Sequence, residues 1–351
     1  MALYSIAEEI LRNVGTVFDR LSVIQINRST QVETCLGFLV FVDEKKAPLL
    51  FLKATPDQKK GMLIEQEFDN LSLLHNYGSV LLKKTIPKPL SFMKFNDFTV
   101  LVETATPGTK MKRLPQGPYF SSNRFRHHFR KVVRWLYEFQ QTAAFFQTFF
   151  SSSDIEDMLT NHTKAYRNCY DRSHELDDLL DEAMGLLKEG GISLVPRHGD
   201  FCTANILVSE TEQMSVIDWE SFLAWGWPLS DLLYFISSIW CIPYQKGLNA
   251  LKDNYFRLFF TRNRHADLIR EAVSWYLEKL GVKTDLTLPL SIIVWVIYAN
   301  QKQVELGGEA IGKEGRIKVG EHLPLIIVED NYCMNLEILA ENRNRYILNY
   351  I

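Results

Sequence analysis

The amino-acid sequence predicts an α+β protein with a small, strand-rich N-terminal part and a larger, mainly helical C-terminal part. Short apolar runs separated by polar turns occupy the first hundred residues, and residues 37–42 and 49–53 are two of them. Segments with helical periodicity follow over residues 124–150 and 155–187. Most of the chain after Asp231 has the same helical character.

Length and composition agree with two lobes. The chain has 351 residues, of which 46% are apolar, and this is enough to bury a large core. We place the boundary after residue 104, so that residues 1–104 form the N-terminal lobe and residues 105–351 the C-terminal lobe. The formal net charge of −3 gives no electrostatic reason to expect nucleic acid as a partner.

The first predicted elements are a helix and a hairpin. Residues 1–20 combine glutamates with spaced apolar residues, which is typical of an amphipathic helix and not of a signal peptide. Residues 37–42 and 49–53 flank a charged turn, which predicts two antiparallel strands. Lys53 ends the second of these strands.

A second helix and a second hairpin follow. Residues 61–77 have apolar side chains at helical spacing, which predicts a helix with one buried face. A turn at Asn96 and Asp97 leads into an apolar run over residues 99–103, which predicts the last strand of the N-terminal lobe. The predicted buried face of the helix consists of Leu63, Phe68, Leu71 and Leu74.

The most informative pattern is a set of three polar residues in the C-terminal part. Asn205 stands five positions after Asp200, and Asp218 stands thirteen positions after Asn205 within an apolar run. This is the spacing of a phosphotransferase catalytic loop and its metal-binding strand. Residues 206–208 and 214–217 flank a polar turn, which predicts a hairpin with these polar side chains at its mouth.

Each of these residue types suits phosphoryl transfer. The reaction needs little covalent help, so a site must align a hydroxyl nucleophile and neutralise the charge on the phosphate oxygens. The carboxylate of Asp200 can orient the hydroxyl and take its proton. Mg²⁺ prefers oxygen ligands, which the amide of Asn205 and the carboxylate of Asp218 supply. The pattern therefore predicts a Mg²⁺-dependent kinase with Asp200 as its catalytic residue.

The same segment resembles the aminoglycoside phosphotransferase and choline kinase family, which has a bilobal protein-kinase-like fold. His-Gly-Asp at residues 198–200 and Ile-Asp-Trp-Glu at residues 217–220 match the motifs of that family residue for residue. A Gly-x-Pro-x-x-Asp stretch that ends at Asp231 extends the match. The resemblance implies that His198 and Asp231 support the catalytic loop without taking part in the chemistry.

The resemblance also implies a nucleotide site in the N-terminal lobe. Lys53 stands where the family has a lysine that bridges the α- and β-phosphates and pairs with a glutamate of the next helix. Glu67 is the predicted partner, because leucines follow it at the spacing found in the family, and Glu65 is the alternative. We expect the pair to lie near water and contribute little stability, with Lys53 directed toward Asp218.

Two further segments have implied nucleotide contacts. Backbone groups of Glu103 and Ala105 are expected to bind the adenine edge. Residues 27–34 replace the glycine-rich phosphate loop of protein kinases but contain no glycine, so Ser29 and Thr30 are expected to contact the phosphates. The missing glycines leave open a second function, that of a nucleotide-binding pseudokinase or regulatory module.

The acceptor is less defined than the donor. The donor is expected to be ATP or GTP, and the acceptor a hydroxyl of a small molecule such as an aminoglycoside, an amino alcohol or a sugar. Glu220, Trp225 and Trp227 are expected to line the acceptor pocket, because aromatic faces can cage an ammonium group or stack on a sugar ring. The alternative for each tryptophan is packing in the core.

Cysteine usage and hydropathy indicate a cytoplasmic protein. Five scattered cysteines with no C-x-x-C pair predict reduced thiols and no zinc site. The apolar run over residues 288–299 is too short to span a bilayer, so it predicts a core helix, and we expect no membrane partner. The sequence leaves the oligomeric state open.

Overall fold

The protein is described from a computed structural model, and the chain divides into two compact units. The first comprises Met1–Gly117, Thr142–Phe145 and His198–Leu223, and the second comprises Pro118–Gln141, Phe146–Arg197 and Ala224–Ile351. The predicted boundary after residue 104 remains a prediction. The structure describes residues 2–13, 15–26, 35–111, 122–142, 150–170, 173–240, 248–305, 335–343 and 346.

A five-stranded antiparallel sheet forms the centre of the first unit. Its strand order is β1-β2-β3-β5-β4. Helix α1 (Ala2–Asn13) precedes the sheet, and α2 (Gln58–Tyr77) and α3 (Val80–Thr85) lie between its third and fourth strands in the chain. The strands are β1 (Leu21–Gln25), β2 (Leu36–Val42), β3 (Leu50–Thr55), β4 (Pro89–Phe95) and β5 (Phe98–Thr104).

Apolar alternation decides which face of this sheet is buried. Successive strand side chains point to opposite faces, so every second residue of a half-buried strand is apolar. In β3, Leu50, Leu52 and Ala54 are buried, and they belong to one core cluster with residues of β2, β5 and α1. Lys53 lies between two of these core residues, so its side chain leaves the sheet on the other face.

Helix α2 brings an acid to the sheet. Asp57 caps its N-terminus by accepting a hydrogen bond from the Lys60 N–H, which satisfies one of the first free donors of the helix. The prediction for its buried face is wrong at Leu63, whose side chain is 42% exposed. The residues that share the buried face are spaced by three or four positions, and they are Gly61, Ile64, Glu67, Leu71 and Leu74.

A small three-stranded sheet carries the predicted catalytic hairpin. Strands β8 (Ile206–Val208) and β9 (Met214–Val216) pair in antiparallel fashion, and β6 (Thr109–Lys110) pairs with β8, which confirms the predicted hairpin. Gly108 has φ +130° just before β6, and a Cβ there would lie 2.8 Å from the carbonyl carbon of Val208. Only glycine combines this backbone conformation with so close an approach.

The second unit is mainly helical. Its longest apolar helix, α10 (Thr287–Glu305), packs against α5 and α6, and the predicted core run within it is buried. The helical stretch predicted over residues 155–187 is two helices, because α5 ends at Cys169 and Ser173 caps α6. The other elements are α4 (Asn123–Thr142), α5 (Ser152–Cys169), α6 (His174–Glu189), β7 (Val195–Arg197), β10 (Leu223–Gly226), α7 (Ser230–Trp240), α8 (Leu248–Phe260), α9 (Arg264–Leu280) and a 3-10 turn (Thr284–Leu286).

These elements confirm the predicted α+β fold with a strand-rich N-terminal lobe and a mainly helical C-terminal lobe. Within the described residues, no single helix is long and apolar enough to cross a membrane. One pair, Arg264–Leu280 with Thr284–Gln301, reaches that length and apolar composition only jointly and is bent by 118°.

Candidate active site

The loop between β7 and β8 holds Asp200 through Asn205. The Nδ2 atom of Asn205 donates to Oδ2 of Asp200 at 2.8 Å and to the Asp200 carbonyl at 3.0 Å. Both partners are acceptors, so the amide of Asn205 can have only this orientation. Its Oδ1 accepts no hydrogen bond from the residues that the structure describes, which leaves that oxygen available to a ligand.

His198 ties this loop to the segment that carries Asp218. The backbone N–H of Asp200 donates to Nδ1 of His198 at 3.2 Å, so Nδ1 is unprotonated and Nε2 carries the hydrogen. That Nε2–H then donates to the carbonyl of Ile217 at 3.1 Å. Gly199 has φ +88°, and a Cβ at this position would overlap the Ser221 carbonyl oxygen. The His-Gly pair thus shapes the loop.

Lys53 lies between two carboxylates. Its Nζ is 2.5 Å from Oε2 of Glu67 and 2.6 Å from Oδ1 of Asp218. The predicted ion pair is therefore present, and Lys53 is directed toward Asp218 as expected. Glu65, the alternative partner, is exposed.

The expectation that this pair lies near water is wrong. The Lys53 side chain is 15% exposed and that of Glu67 is 0% exposed, because Glu67 belongs to the buried face of α2. Burial alone would lower the pKa of Lys53, but the carboxylates of Asp218, Glu67 and Glu103 together raise it well above its usual value. Lys53 in turn lowers the pKa of Asp218, so both groups remain charged.

Helix α2 also anchors the backbone next to Asp218. The N–H of Trp219 donates to Oε1 of Glu67 at 3.2 Å, and Nδ2 of Asn70 donates to the Trp219 carbonyl at 2.8 Å. Asp218 has φ +75°, which is uncommon for a residue with a side chain. Asn70 was not among the predicted site residues, although its position three residues after Glu67 places it on the same helix face.

A second buried carboxyl, that of Glu103, lies near Lys53. Phe51 pairs with Glu103 across β3 and β5, so the Glu103 and Lys53 side chains leave the sheet on the same face. Glu103 is 3% exposed, and its Oε2 has no hydrogen-bond partner among the residues that the structure describes. Burial, with the nearby charge of Glu67, raises its pKa well above the usual value. The sequence assigned Glu103 only a backbone role and gave no sign of this burial.

The acidic groups around Asp218 form an oxygen-rich site. Carboxylate oxygens of Glu67, Asp218 and Glu220 lie within 4.8 Å of one another. Both carboxylate oxygens of Glu67 already accept hydrogen bonds, one from Lys53 and one from the Trp219 N–H. Asp218 and Glu220 are therefore the acids left for a cation. Burial, followed by the charge of Asp218, raises the pKa of Glu220 to about 7.

This donor set fits Mg²⁺, which takes one or two carboxylates and otherwise binds water and phosphate oxygens. Asn205 belongs to the same region, because the Ile217 N–H donates to its carbonyl at 3.0 Å directly before Asp218. A cation would lower the repulsion between Glu220 and Asp218, which contributes to the raised pKa of Glu220.

Several predicted residues belong to the second unit or fall outside the described residues. Ser29 and Thr30 fall outside the described residues. Trp225 belongs to the second unit, is 37% exposed and contacts the ring of Phe150. Trp227, in the same unit, is only 3% exposed. Its burial favours the packing role that the sequence left open.

Two other predictions concern supporting groups. Asp231 is buried in the first turn of α7. Its predicted support of the catalytic loop remains a prediction.

The predicted nucleotide contact at Ala105 is limited to one backbone group. The N–H of Ala105 already donates to the Leu49 carbonyl at 2.9 Å, so Ala105 offers a ligand its own carbonyl oxygen. Cys202 lies two residues after Asp200, and its thiol is buried. This burial raises the pKa of the thiol to about 12, which makes it unreactive.

Comparisons with known proteins agree with this geometry. The model of the Phosphotransferase enzyme family matches residues 39–268. The search of curated proteins found no match.

Solved structures show the same fold. An ethanolamine kinase of Plasmodium vivax has 13% sequence identity and a TM-score of 0.53, over 97% of this chain and 96% of that chain. Aminoglycoside phosphotransferase APH(4)-Ia has 12% identity and a TM-score of 0.52, over 96% of this chain and 98% of that chain. A thermostable mutant of it, in a ternary complex with AMP-PNP and hygromycin B, has 13% identity and a TM-score of 0.52 over the same shares.

Proposed function

This chain belongs to the phosphotransferase enzyme family, and we propose that it transfers the γ-phosphoryl group of ATP or GTP to a hydroxyl group of a small molecule. The observation that carries the proposal is the 2.6 Å contact between Lys53 and Asp218, which stand 165 positions apart in the chain. Such a contact joins the lysine of the sheet to the acid of the catalytic hairpin. A phosphoryl-transfer site needs both groups near the nucleotide phosphates.

In the proposed mechanism, Asp200 orients the acceptor hydroxyl and takes its proton. Asn205 holds one oxygen of that carboxylate, so the proton acceptor has a fixed direction before the substrate binds. Lys53 neutralises phosphate charge, and Glu67 keeps the ammonium group in place. Mg²⁺, held by Asn205 and Asp218, would neutralise the phosphate oxygens when bound.

The nucleotide is proposed to make further contacts at the end of the sheet and in the segment before β2. Glu103 and Ala105 lie at the end of β5, and backbone oxygens there suit the exocyclic amine of adenine. Ser29 and Thr30 are proposed to bind phosphate oxygens through hydroxyl and backbone groups. His198 and Asp231 are proposed to keep the loop in shape.

The acceptor is proposed to carry a cationic amine as well as a hydroxyl. Glu220 provides a carboxylate close to Asp218, and the exposed face of Trp225 can contact an ammonium group or a sugar ring. Among proteins of similar fold, one is an ethanolamine kinase and another was crystallised with hygromycin B. Amino alcohols and aminoglycosides are therefore the acceptors to test first.

The two tryptophans should respond differently to truncation. Trp225→Ala removes a partly exposed ring, so we expect a higher acceptor KM with unchanged nucleotide binding and a nearly unchanged melting temperature. Trp227→Ala removes a buried ring and should cost about 3–5 kcal/mol of folding free energy. Steady-state kinetics and urea unfolding separate the two effects. An unchanged KM in Trp225→Ala, measured with a verified acceptor, would remove Trp225 from the acceptor pocket.

A nucleotide-consumption screen tests the function. Purified protein with Mg²⁺ and either ATP or GTP is incubated with amino alcohols, aminoglycosides and sugars, and ADP or GDP release is recorded. We expect release that depends on one acceptor class. Nucleotide binding without acceptor-dependent release would favour the alternative of a pseudokinase or regulatory module.

A further inference from the structure

We propose that the first unit contains a second anion site, distinct from the phosphate region beside Lys53, which takes a small molecule bearing phosphate groups. The site is a cavity of about 520 Å³. Small-molecule sites in proteins commonly have volumes of this order. Its walls come from the ends of α2 and α3, from residues 104–107 after β5, and from the β8–β9 hairpin.

The charge of the cavity points to an anion. Lys83, Lys84 and Lys88 line it, and no aspartate or glutamate does. None of the three lysines forms an ion pair with a residue that the structure describes, although Lys83 has a long contact of 3.4 Å to the Asn76 carbonyl. Three ammonium groups on one concave wall repel each other unless a ligand compensates their charge.

The polar groups of the cavity point to phosphate. Lysine acts as a compact point charge with three donors and is a common phosphate ligand. Thr104, Thr106 and Asn76 add hydroxyl and amide donors to the same walls. Phosphate oxygens accept several hydrogen bonds at once, so a phosphate group can use charged and neutral donors together.

The position of the cavity would allow a bound ligand to regulate nucleotide binding. Thr104, Ala105 and Thr106 belong to the segment proposed to bind adenine, and Ser215 lies in β9, three positions before Asp218. A ligand in the cavity would therefore contact two segments that also contribute to the proposed nucleotide site. This consequence depends on the proposed function, whereas the binding of an anion does not.

Calorimetric titration with inorganic pyrophosphate tests the site, in Mg²⁺-free buffer at constant ionic strength. The test variant is Lys83→Gln/Lys84→Gln/Lys88→Gln. The control, Lys46→Gln/Lys59→Gln/Lys94→Gln, changes the net charge equally at exposed lysines of the same unit. We expect the test variant to bind pyrophosphate at least roughly tenfold more weakly. The loss of even one charged hydrogen bond raises a dissociation constant by about that factor. The control should bind like the wild type.

Three results would overturn the site. Wild-type protein that shows no binding at millimolar pyrophosphate has no such site. Unchanged binding in the test variant means that the probe occupies another place, such as the phosphate region beside Lys53. Equal losses in both variants mean that diffuse charge is responsible. Should the triple variant fold poorly, Lys84→Gln/Lys88→Gln retains the test, because both of these side chains are exposed.

Discussion

Asp200→Asn should abolish most phosphoryl transfer while leaving nucleotide binding intact. The amide keeps the shape of the carboxylate, and its oxygen can still accept the hydrogen bond from Asn205. It cannot take a proton, so kcat should fall by roughly 10²–10⁴-fold, the usual contribution of a general base. The measurement is steady-state transfer to a verified acceptor.

Asp218→Asn should block the reaction earlier, at the binding of Mg²⁺ and nucleotide. Asp218 is proposed to hold Mg²⁺ against the nucleotide phosphates, and the structure pairs it with Lys53. A ligand at a hundredfold excess over its Kd stabilises the folded state by about 2.7 kcal/mol, which a thermal-shift assay detects. Wild type and Asp200→Asn should gain this stability from Mg²⁺ and nucleotide, and Asp218→Asn should gain much less.

A matched control shows whether the loss of one negative charge is by itself enough to weaken nucleotide binding. Asp97→Asn makes the same chemical change in the exposed β4–β5 turn of the same unit. It should change neither the nucleotide-induced thermal shift nor turnover. Equal shifts in Asp218→Asn and Asp97→Asn would contradict the role of Asp218 in binding the nucleotide.

Lys53→Ala should strongly destabilise the folded protein. It leaves Glu67 buried with no opposing charge, and removal of one partner of a buried ion pair commonly costs about 3–5 kcal/mol. The control Lys46→Ala, in an exposed turn of the same sheet, should change stability by roughly 0.5 kcal/mol or less. Urea unfolding measures both values.

A double variant identifies the cause of that loss. Lys53→Ala together with Glu67→Ala removes both buried charges, so it should lose clearly less stability than the two single changes added together. Additive losses would mean that the ion pair does not couple the two residues. Transfer activity should be very low in all three variants, because each removes either Lys53, which is proposed to position the phosphates, or the carboxylate that keeps its ammonium group in place.

The catalytic hairpin was predictable because its signals are local. Apolar runs on either side of a polar turn define β8 and β9, and the spacing of Asp200, Asn205 and Asp218 follows from that hairpin. The partner of Lys53 was predicted from the family resemblance, because Leu71 and Leu74 follow Glu67 at the spacing found in that family. Local patterns of this kind constrain the face on which a side chain lies.

Burial of charge was not predictable in the same way. A glutamate in a helix is normally exposed, so the sequence predicted a Lys53–Glu67 pair near water. Its burial depends on how α2 packs against the sheet, which no local pattern reveals. Glu103 is a similar case, because an acid at the end of a strand normally ends in solvent. The helix phase predicted at Leu63 was off by one residue. The adjacent Ile64 is therefore buried in its place.

The most direct test of the proposed function is detection of the phosphorylated product itself. Wild-type protein and Asp200→Asn are incubated with Mg²⁺, γ-labelled ATP or GTP, and the acceptors that stimulate nucleotide consumption, and label in the acceptor is followed by mass spectrometry. We expect labelled phosphate on an acceptor hydroxyl with the wild type and almost none with Asp200→Asn. Label transfer by Asp200→Asn at the wild-type rate, or none by a wild type that binds nucleotide, would contradict the account.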